Sequence, residues 1–91
     1  MKLEIGMKLI CVDLSYGKFH YEQVCVSEFI HSPYSRGVIR FFEIEGSPHV
    51  PSIYDAKTLK AAYSLSARLI EATEHNIKLM KTRQLLALIS S

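Results

Sequence analysis

The sequence predicts an α+β domain in which a small, curled antiparallel sheet precedes one long or two shorter helices. All four glycines and all three prolines fall within the first 51 of the 91 residues. Because glycine and proline form turns and interrupt regular structure, this distribution indicates a turn-rich β half over residues 1–52 and an uninterrupted helical half over residues 53–91. A chain of this length is expected to form a single domain over residues 1–91, since it has no room for two hydrophobic cores.

Three or four strands are predicted in the β half. Residues 3, 5, 7, 9 and 11 are apolar and alternate with residues 2, 4, 6, 8 and 10, which is the two-residue period of a strand with one buried face. From residue 9 to residue 12 both faces become apolar, which is expected of a strand in the middle of the sheet. Further strands are expected over residues 19–30 and 38–45, and the segments between them contain Gly, Pro, Asp or Ser. Strands this long in so short a chain must bend strongly, and a curled sheet that resembles a small SH3-like barrel satisfies that requirement.

The helical half is predicted from apolar residues that recur at helical spacing from about residue 57 onward. Asp55 is expected to cap the first turn. One helix over residues 56–89 would be about 50 Å long and would extend well beyond the β half. The alternative is a break at residues 73–76, where Thr73 caps a second helix and Asn76 ends the first. The sequence leaves both arrangements open.

The last residues of the chain carry more apolar surface than one small sheet can cover. Leu85, Leu86 and Ile89 would be exposed on a continuous helix, so a homodimer is expected to cover them. A separate loop presents Tyr34 and Arg36 between a proline and a glycine, and Tyr and Arg are enriched at the centres of protein interfaces. These five residues are the predicted partner-binding site.

The composition constrains the environment more than it constrains the ligand. Eleven basic and nine acidic residues give a formal net charge of +2, which neither requires nor excludes an anionic partner. Two cysteines are too few for a secreted disulfide scaffold. The apolar stretch near residue 10 is too short for a membrane span or a signal-peptide core. We therefore expect a reduced, cytoplasmic protein that does not contact a membrane.

No motif in the sequence indicates catalysis. The signatures of activated nucleophiles, of metal-binding helices and of phosphate-binding loops are not found in it. His31 and His49 could approach each other at one end of the sheet, but two imidazoles alone make a weak metal site. The expectation is a protein that is not an enzyme and that has no catalytic residues, cofactor or metal.

Two functions from different classes fit these features. The first is an adaptor, regulator or inhibitor that docks onto a protein partner as a homodimer, an accessory protein without chemistry of its own. The alternative is a small β-barrel protein that binds nucleic acid through stacking aromatics and cations. Its candidate contacts are Tyr16, Lys18, Tyr21 and Arg40. Lys57, Lys60 and Arg68 would extend such a basic face.

Overall fold

The computed structural model describes residues 2–15, 17–31 and 38–84. This part of the chain forms five strands and one helix. They are β1 (Lys8–Ser15), β2 (Lys18–His31), β3 (Ile39–Glu45), β4 (Ile53–Asp55), β5 (Ala67–Glu71) and α1 (Glu74–Lys81). The protein is therefore an α+β protein with a small antiparallel sheet.

The sheet is curled, and its two edge strands approach each other. All neighbouring strands are antiparallel, in the order β4-β3-β2-β1-β5. The segment 59–62 lies between the two edges, with an isolated bridge from Ala61 to Tyr54 of β4 and another from Lys60 to Arg68 of β5. The Ala62 amide also donates to the Ile53 carbonyl at 2.9 Å. Because both edges are paired through this segment, the sheet is barrel-like, and some of the backbone groups at its edges are satisfied by it.

The long strand β2 is the element that curls the sheet. Its first half pairs with β1 and its second half pairs with β3. The register shifts between Val26 and Glu28 and again between Ile30 and His31. Such irregularities bend a strand and increase its twist. The expectation that long strands must bend strongly in this chain is thus confirmed.

The two faces of the sheet bury different clusters. The inner face, enclosed by the curl, carries the main core, to which every strand contributes. Its buried members are Leu9, Cys11, Val24, Val26, Phe42, Ile44, Val50, Tyr54, Ala67 and Leu69. On the outer face Ile10 and Val12 are buried beneath α1, which packs against them through Ile77, Leu79 and Met80.

The predicted number of strands and the predicted start of the helical half are both wrong. The turn-rich segment 46–52 leads into β4, and residues 67–71 form β5. The helical pattern contained the neighbours Leu69 and Ile70, but on β5 they separate: Leu69 faces the core with Ala67, and Ile70 lies on the other side with Arg68. Pairing with β1 decides between the two patterns, and the sequence shows no such pairing.

Asp55 caps a turn rather than a long helix. Its carboxylate accepts hydrogen bonds from the amides of Lys57, at 2.7 Å, and Thr58, at 3.0 Å. The turn ends at Leu59, whose φ of 61° is left-handed, and a β-branched or bulky side chain seldom adopts that conformation. The chain reverses there and enters the segment that joins the two edge strands.

The helix that does form begins where the second of the two predicted helices was expected. Thr73 is its N-cap, and the Thr73 hydroxyl accepts a hydrogen bond from the Asn76 amide at 3.0 Å, which confirms the predicted capping role. Asn76 lies inside α1 and does not end a preceding helix. Within the described residues there is one short helix, instead of one long or two shorter ones.

Candidate functional site

The outer face of the sheet carries a row of four residues that crosses three strands and the joining segment. In the strand register, Tyr21 of β2 lies opposite Val12 of β1, which in turn lies opposite Arg68 of β5. Arg68 is bridged to Lys60. Directly opposite residues share a face of the sheet, so an aromatic ring and two cations are placed along one line.

Two aromatic side chains form a stacked pair on this face. Phe19 and Tyr21 are two residues apart on β2 and therefore project to the same side. Their ring centroids are 6.1 Å apart, and the ring planes differ by 9°. Both residues are half-buried, so part of each ring is accessible to a ligand.

The stacked pair and the end of α1 form an open groove of about 350 Å³, here called the aromatic groove. It is lined by Phe19, His20, Tyr21, Met80, Lys81 and Arg83. Lys81 is in the last turn of α1, and Arg83 follows with a left-handed φ of 57° that directs the chain out of the helix. The described lining of this groove contains two cations and no carboxylate.

A second cavity of about 320 Å³, here called the hairpin pocket, lies beside the turn that precedes β5. Its lining is Lys60, Ala61, Ser64, Leu65, Ser66, Ala67 and Arg68. The Ser64 and Ser66 hydroxyl oxygens are 2.8 Å apart. The Nε atom of Arg68 is buried and has no hydrogen-bond partner in the part of the chain that the structure describes. We use the term basic–aromatic face for the aromatic groove and the hairpin pocket together.

The inner face contains a thiol that is unsuited to nucleophilic catalysis. Cys11 Sγ lies 3.2 Å from the Tyr54 hydroxyl, and both side chains are fully buried. Burial raises the pKa of Cys11 to about 11 and also raises that of Tyr54. The thiol is therefore protonated near neutral pH, whereas nucleophilic cysteines are thiolates in electropositive surroundings. This pair stabilises the core.

A second polar cluster ties the loop after β3 to β2. Glu22 accepts hydrogen bonds from the amide of Ser47 and from its hydroxyl, the latter at 2.6 Å. His20 Nε2 lies 2.9 Å from the same carboxylate. Burial alone would raise the pKa of Glu22, but the hydrogen bonds from His20 and Ser47 outweigh it and lower the pKa below its ordinary value. The serine and histidine both contact the carboxylate rather than each other, so histidine does not activate the serine.

The residues predicted from the sequence are only partly brought together. Tyr21 lies in the aromatic groove. Lys18 begins β2 and alternates with Phe19, so it lies on the other face of that strand. Arg40 is on β3 with its guanidinium 5.3 Å from the Phe41 ring centroid, and it lines neither the groove nor the pocket. Tyr16, Tyr34, Arg36, Leu85, Leu86 and Ile89 lie outside the described residues.

Lys81 and Arg83 were missed as site residues by sequence reasoning. In the sequence they belong to the polar residues of a helix, a pattern that also describes any solvated helix face. They join the aromatic pair because the chain after β5 returns across the outer face and α1 packs on Ile10 and Val12. No local signal in the sequence indicates that return.

Fold and site together define a small, barrel-like α+β protein with a basic–aromatic face. Comparisons of the chain with protein-family models, with curated proteins and with solved structures find no match. None of the helical residues described here forms a helix that is long and apolar enough to cross a bilayer. The described ranges also contain no group of three or more His, Cys, Asp or Glu side chains that could bind a metal ion.

Proposed function

We propose that this is a non-enzymatic binding protein whose basic–aromatic face binds single-stranded nucleic acid. The observation that carries the proposal is the stacked Phe19–Tyr21 pair, flanked by Lys81 and Arg83 in a groove whose described lining has no acidic residue. The strand order, in which β5 returns beside β1, supports the SH3-like form of barrel. Such small barrels are scaffolds for many functions, so the argument rests on the site and not on the fold.

The chemistry of the groove suits unpaired bases. Base–aromatic stacking contributes about 1–3 kcal/mol per base and tolerates any sequence, since every base has a π face. Lys81 and Arg83 are placed to neutralise phosphates beside the stacked bases. In a duplex the bases already stack on each other, so the rings would have nothing to stack on. The described lining of the basic–aromatic face has four cations, Lys60, Arg68, Lys81 and Arg83, so few phosphate contacts and a short bound segment are expected.

The proposal is tested by fluorescence anisotropy with a labelled single-stranded oligonucleotide over a series of salt concentrations. Replacing Phe19 and Tyr21 together with leucine keeps the apolar bulk but removes the rings, and it is expected to weaken binding about tenfold or more. Lys81→Gln is expected to reduce the slope of log affinity against log salt by about 0.7, the value for one phosphate contact on a single strand.

Lys8→Gln is the matched control, because Lys8 is exposed at the far end of β1 and lines neither cavity. It should bind the oligonucleotide like the parent at each salt concentration. The proposal is wrong if the double leucine variant retains full affinity, or if a duplex of the same length binds as tightly as the single strand. Urea unfolding of every variant checks that the fold is retained.

A second candidate is docking onto a protein partner, as an adaptor, regulator or inhibitor. The observation that favours it is the tip of the turn before β5, where Tyr63 is 86% exposed and Leu65 is fully exposed. Contiguous exposed apolar residues mark interaction sites more often than isolated exposed apolar residues do. The homodimer stays a prediction, since it rests on residues outside the described part. The cytoplasm remains the proposed compartment, and the free thiols of Cys11 and Cys25 are compatible with it.

Paired substitutions test this second candidate. Tyr63→Ser with Leu65→Ser should abolish capture of a host protein whose binding persists in high salt, because an apolar contact is not screened. Ile5→Ser is the control, since Ile5 is 58% exposed and precedes the opposite end of β1. Capture by the double variant equal to that by the control would exclude the turn as the docking surface. Sedimentation mass measures the dimer independently.

A further inference from the structure

We propose that the hairpin pocket binds a single phosphate group that belongs to a larger molecule. The phosphate site deepens the proposed function. It rests on that function only in the expectation that the phosphate belongs to a nucleic acid. The pocket is a distinct cavity from the aromatic groove, and the two share no lining residue. Its polar lining consists of donors: two cations and two serine hydroxyls.

The pairing of two cations is the first argument. Lys60 and Arg68 are directly opposite each other in an antiparallel bridge, so their β-carbons lie about 5 Å apart on one face of the sheet. Like charges in directly opposite positions destabilise a sheet. The described lining of the pocket has no carboxylate to offset them. A bound anion would remove this repulsion and turn it into attraction to both cations.

The donors without acceptors are the second argument. Arg68 Nε is buried and has no hydrogen-bond partner among the described residues, and a buried donor without an acceptor is costly. The Ser66 amide donates to the Ser64 hydroxyl oxygen at 3.2 Å. In the 2.8 Å contact between the two hydroxyls only one of them donates to the other. The other hydroxyl hydrogen is free to point to a ligand.

The arrangement of these donors favours phosphate over carboxylate. A guanidinium fork, an ammonium group and a hydroxyl come from the two arms and the turn of one hairpin, residues 60–68, around one space. A tetrahedral phosphate offers oxygens in several directions and can accept from all three, whereas a carboxylate offers two oxygens in one plane. The volume of about 320 Å³ also leaves room for an attached group, and Leu65 supplies apolar wall for it.

The row across the outer face sets the distance between the pocket and the aromatic groove. Tyr21, Val12, Arg68 and Lys60 occupy successive positions across the sheet. Neighbouring strands are about 4.8 Å apart, so the backbone of Lys60 lies roughly 14 Å from that of Tyr21. Val12 between them is buried beneath α1, so a single strand whose base stacks on Tyr21 must pass around the helix to place a phosphate, internal or terminal, in the hairpin pocket.

The test is a titration of the full chain with inorganic phosphate, followed by NMR at the Arg68 Nε–H resonance and the Ser64 and Ser66 amides. A saturable shift of these signals is expected. Lys60→Gln and Arg68→Lys should each weaken phosphate binding at least about tenfold, because each loses a charge-assisted contact or the guanidinium fork. Lys57→Gln is the matched control, since it loses the same charge from an exposed turn outside the pocket.

Two oligonucleotides, with and without a 5′-phosphate, identify the source. If the phosphorylated strand binds more tightly than the other strand, and Lys60→Gln removes that difference in affinity, the pocket is assigned to the phosphate at a strand end. Equal binding of both strands, weakened equally by Lys60→Gln, would assign it to an internal phosphate. A third outcome is that inorganic phosphate shifts the NMR signals, but oligonucleotides either do not bind or bind equally well to Lys60→Gln. That outcome would assign the hairpin pocket to a small phosphorylated molecule.

The inference is overturned if inorganic phosphate gives no saturable shift, or if Lys60→Gln and Arg68→Lys both bind phosphate like the parent. Failure of the nucleic-acid proposal gives a different result, because it is detected by the leucine variants of Phe19 and Tyr21. Those variants leave the hairpin pocket intact, so its phosphate titration remains decisive in either case.

Discussion

The two faces of the curled sheet place polar groups in opposite situations. On the inner face, the Cys11 thiol and the Tyr54 hydroxyl contact each other and are closed off from water. On the outer face, Lys60 and Arg68 are paired side by side, and Arg68 Nε has no acceptor within the described ranges. Both faces belong to the same strands, and alternation along β1 and β5 separates them.

This contrast distinguishes groups that hold the fold together from groups that are available to a ligand. A buried polar group whose partner is supplied by the protein contributes to stability, and losing that partner is costly. A cation whose partner is not supplied lowers stability rather than adding to it, and it is available for binding. Substitutions on the inner face should therefore change the free energy of unfolding, while the outer-face variants described above should mainly change affinity.

The largest effect is expected for Tyr54→Ala. Tyr54 is fully buried, its ring contacts Phe42 with centroids 6.2 Å apart, and its hydroxyl is the partner of Cys11. Removing the ring leaves a cavity in the core, which should lower the free energy of unfolding by about 3–5 kcal/mol in urea denaturation.

Tyr54→Phe separates the ring from the hydroxyl and should cost only about 1 kcal/mol. Leu65→Ala, at a fully exposed position, is the control and should change stability by less than about 0.5 kcal/mol. A Tyr54→Ala protein as stable as the control would contradict the assignment of the inner face as the structural core.

An intermediate effect is expected for Gly46→Ala. A β-carbon at this position would lie 2.8 Å from Val24 Cγ1 and 2.9 Å from Glu22 Oε2. The added methyl group would push the loop away from β2 and strain the Glu22–Ser47 contact, so a loss of about 1–3 kcal/mol is expected. Thermal unfolding of Gly46→Ala measures this loss of stability. Ser52→Ala is the control, because Ser52 is an exposed position of the same loop. Equal stability of the two variants would show that the loop adapts freely to the added methyl group.

The smallest effect concerns the pH dependence of stability through Glu22. Its pKa is lowered in the folded protein, so the carboxylate contributes stability above its ordinary pKa of about 4.3. That contribution is lost as the pH falls through the lower, folded pKa. The loss should be on the order of 1 kcal/mol, the size of a hydrogen-bond contribution.

Glu22→Gln cannot titrate, so the difference in unfolding free energy between parent and variant should shrink as the solution becomes more acidic than about pH 4. The pKa of Asp55 is also lowered, by hydrogen bonds from the amides of Thr58 and Lys57. Its contribution is common to both proteins and cancels in the difference. A difference that stays constant down to pH 2 would show that Glu22 is not stabilised in its charged form.

Sequence patterns predicted the elements whose signals are local. The alternation in β1, β2 and β3 and the Thr73 cap of α1 depend on side chains within a few residues of each other. The prediction failed for β4 and β5. Leu69 and Ile70 belong to the helical pattern that was predicted from residue 57 onward, but on the strand β5 they lie on opposite faces of the sheet. Partners far along the chain decide between those patterns, so local sequence could not. For the site, Tyr21 was predicted, but its neighbours Lys81 and Arg83 were not.

The sequence by itself determined an α+β composition, a curled sheet of strongly bent strands and the residue types that a binding face needs. Only the tertiary structure decided that residues 53–71 close the sheet and that Lys60 stands opposite Arg68. The physical reason is that strand pairing joins residues that are distant in the chain, and its hydrogen bonds and burial outweigh the weak local preference for helix.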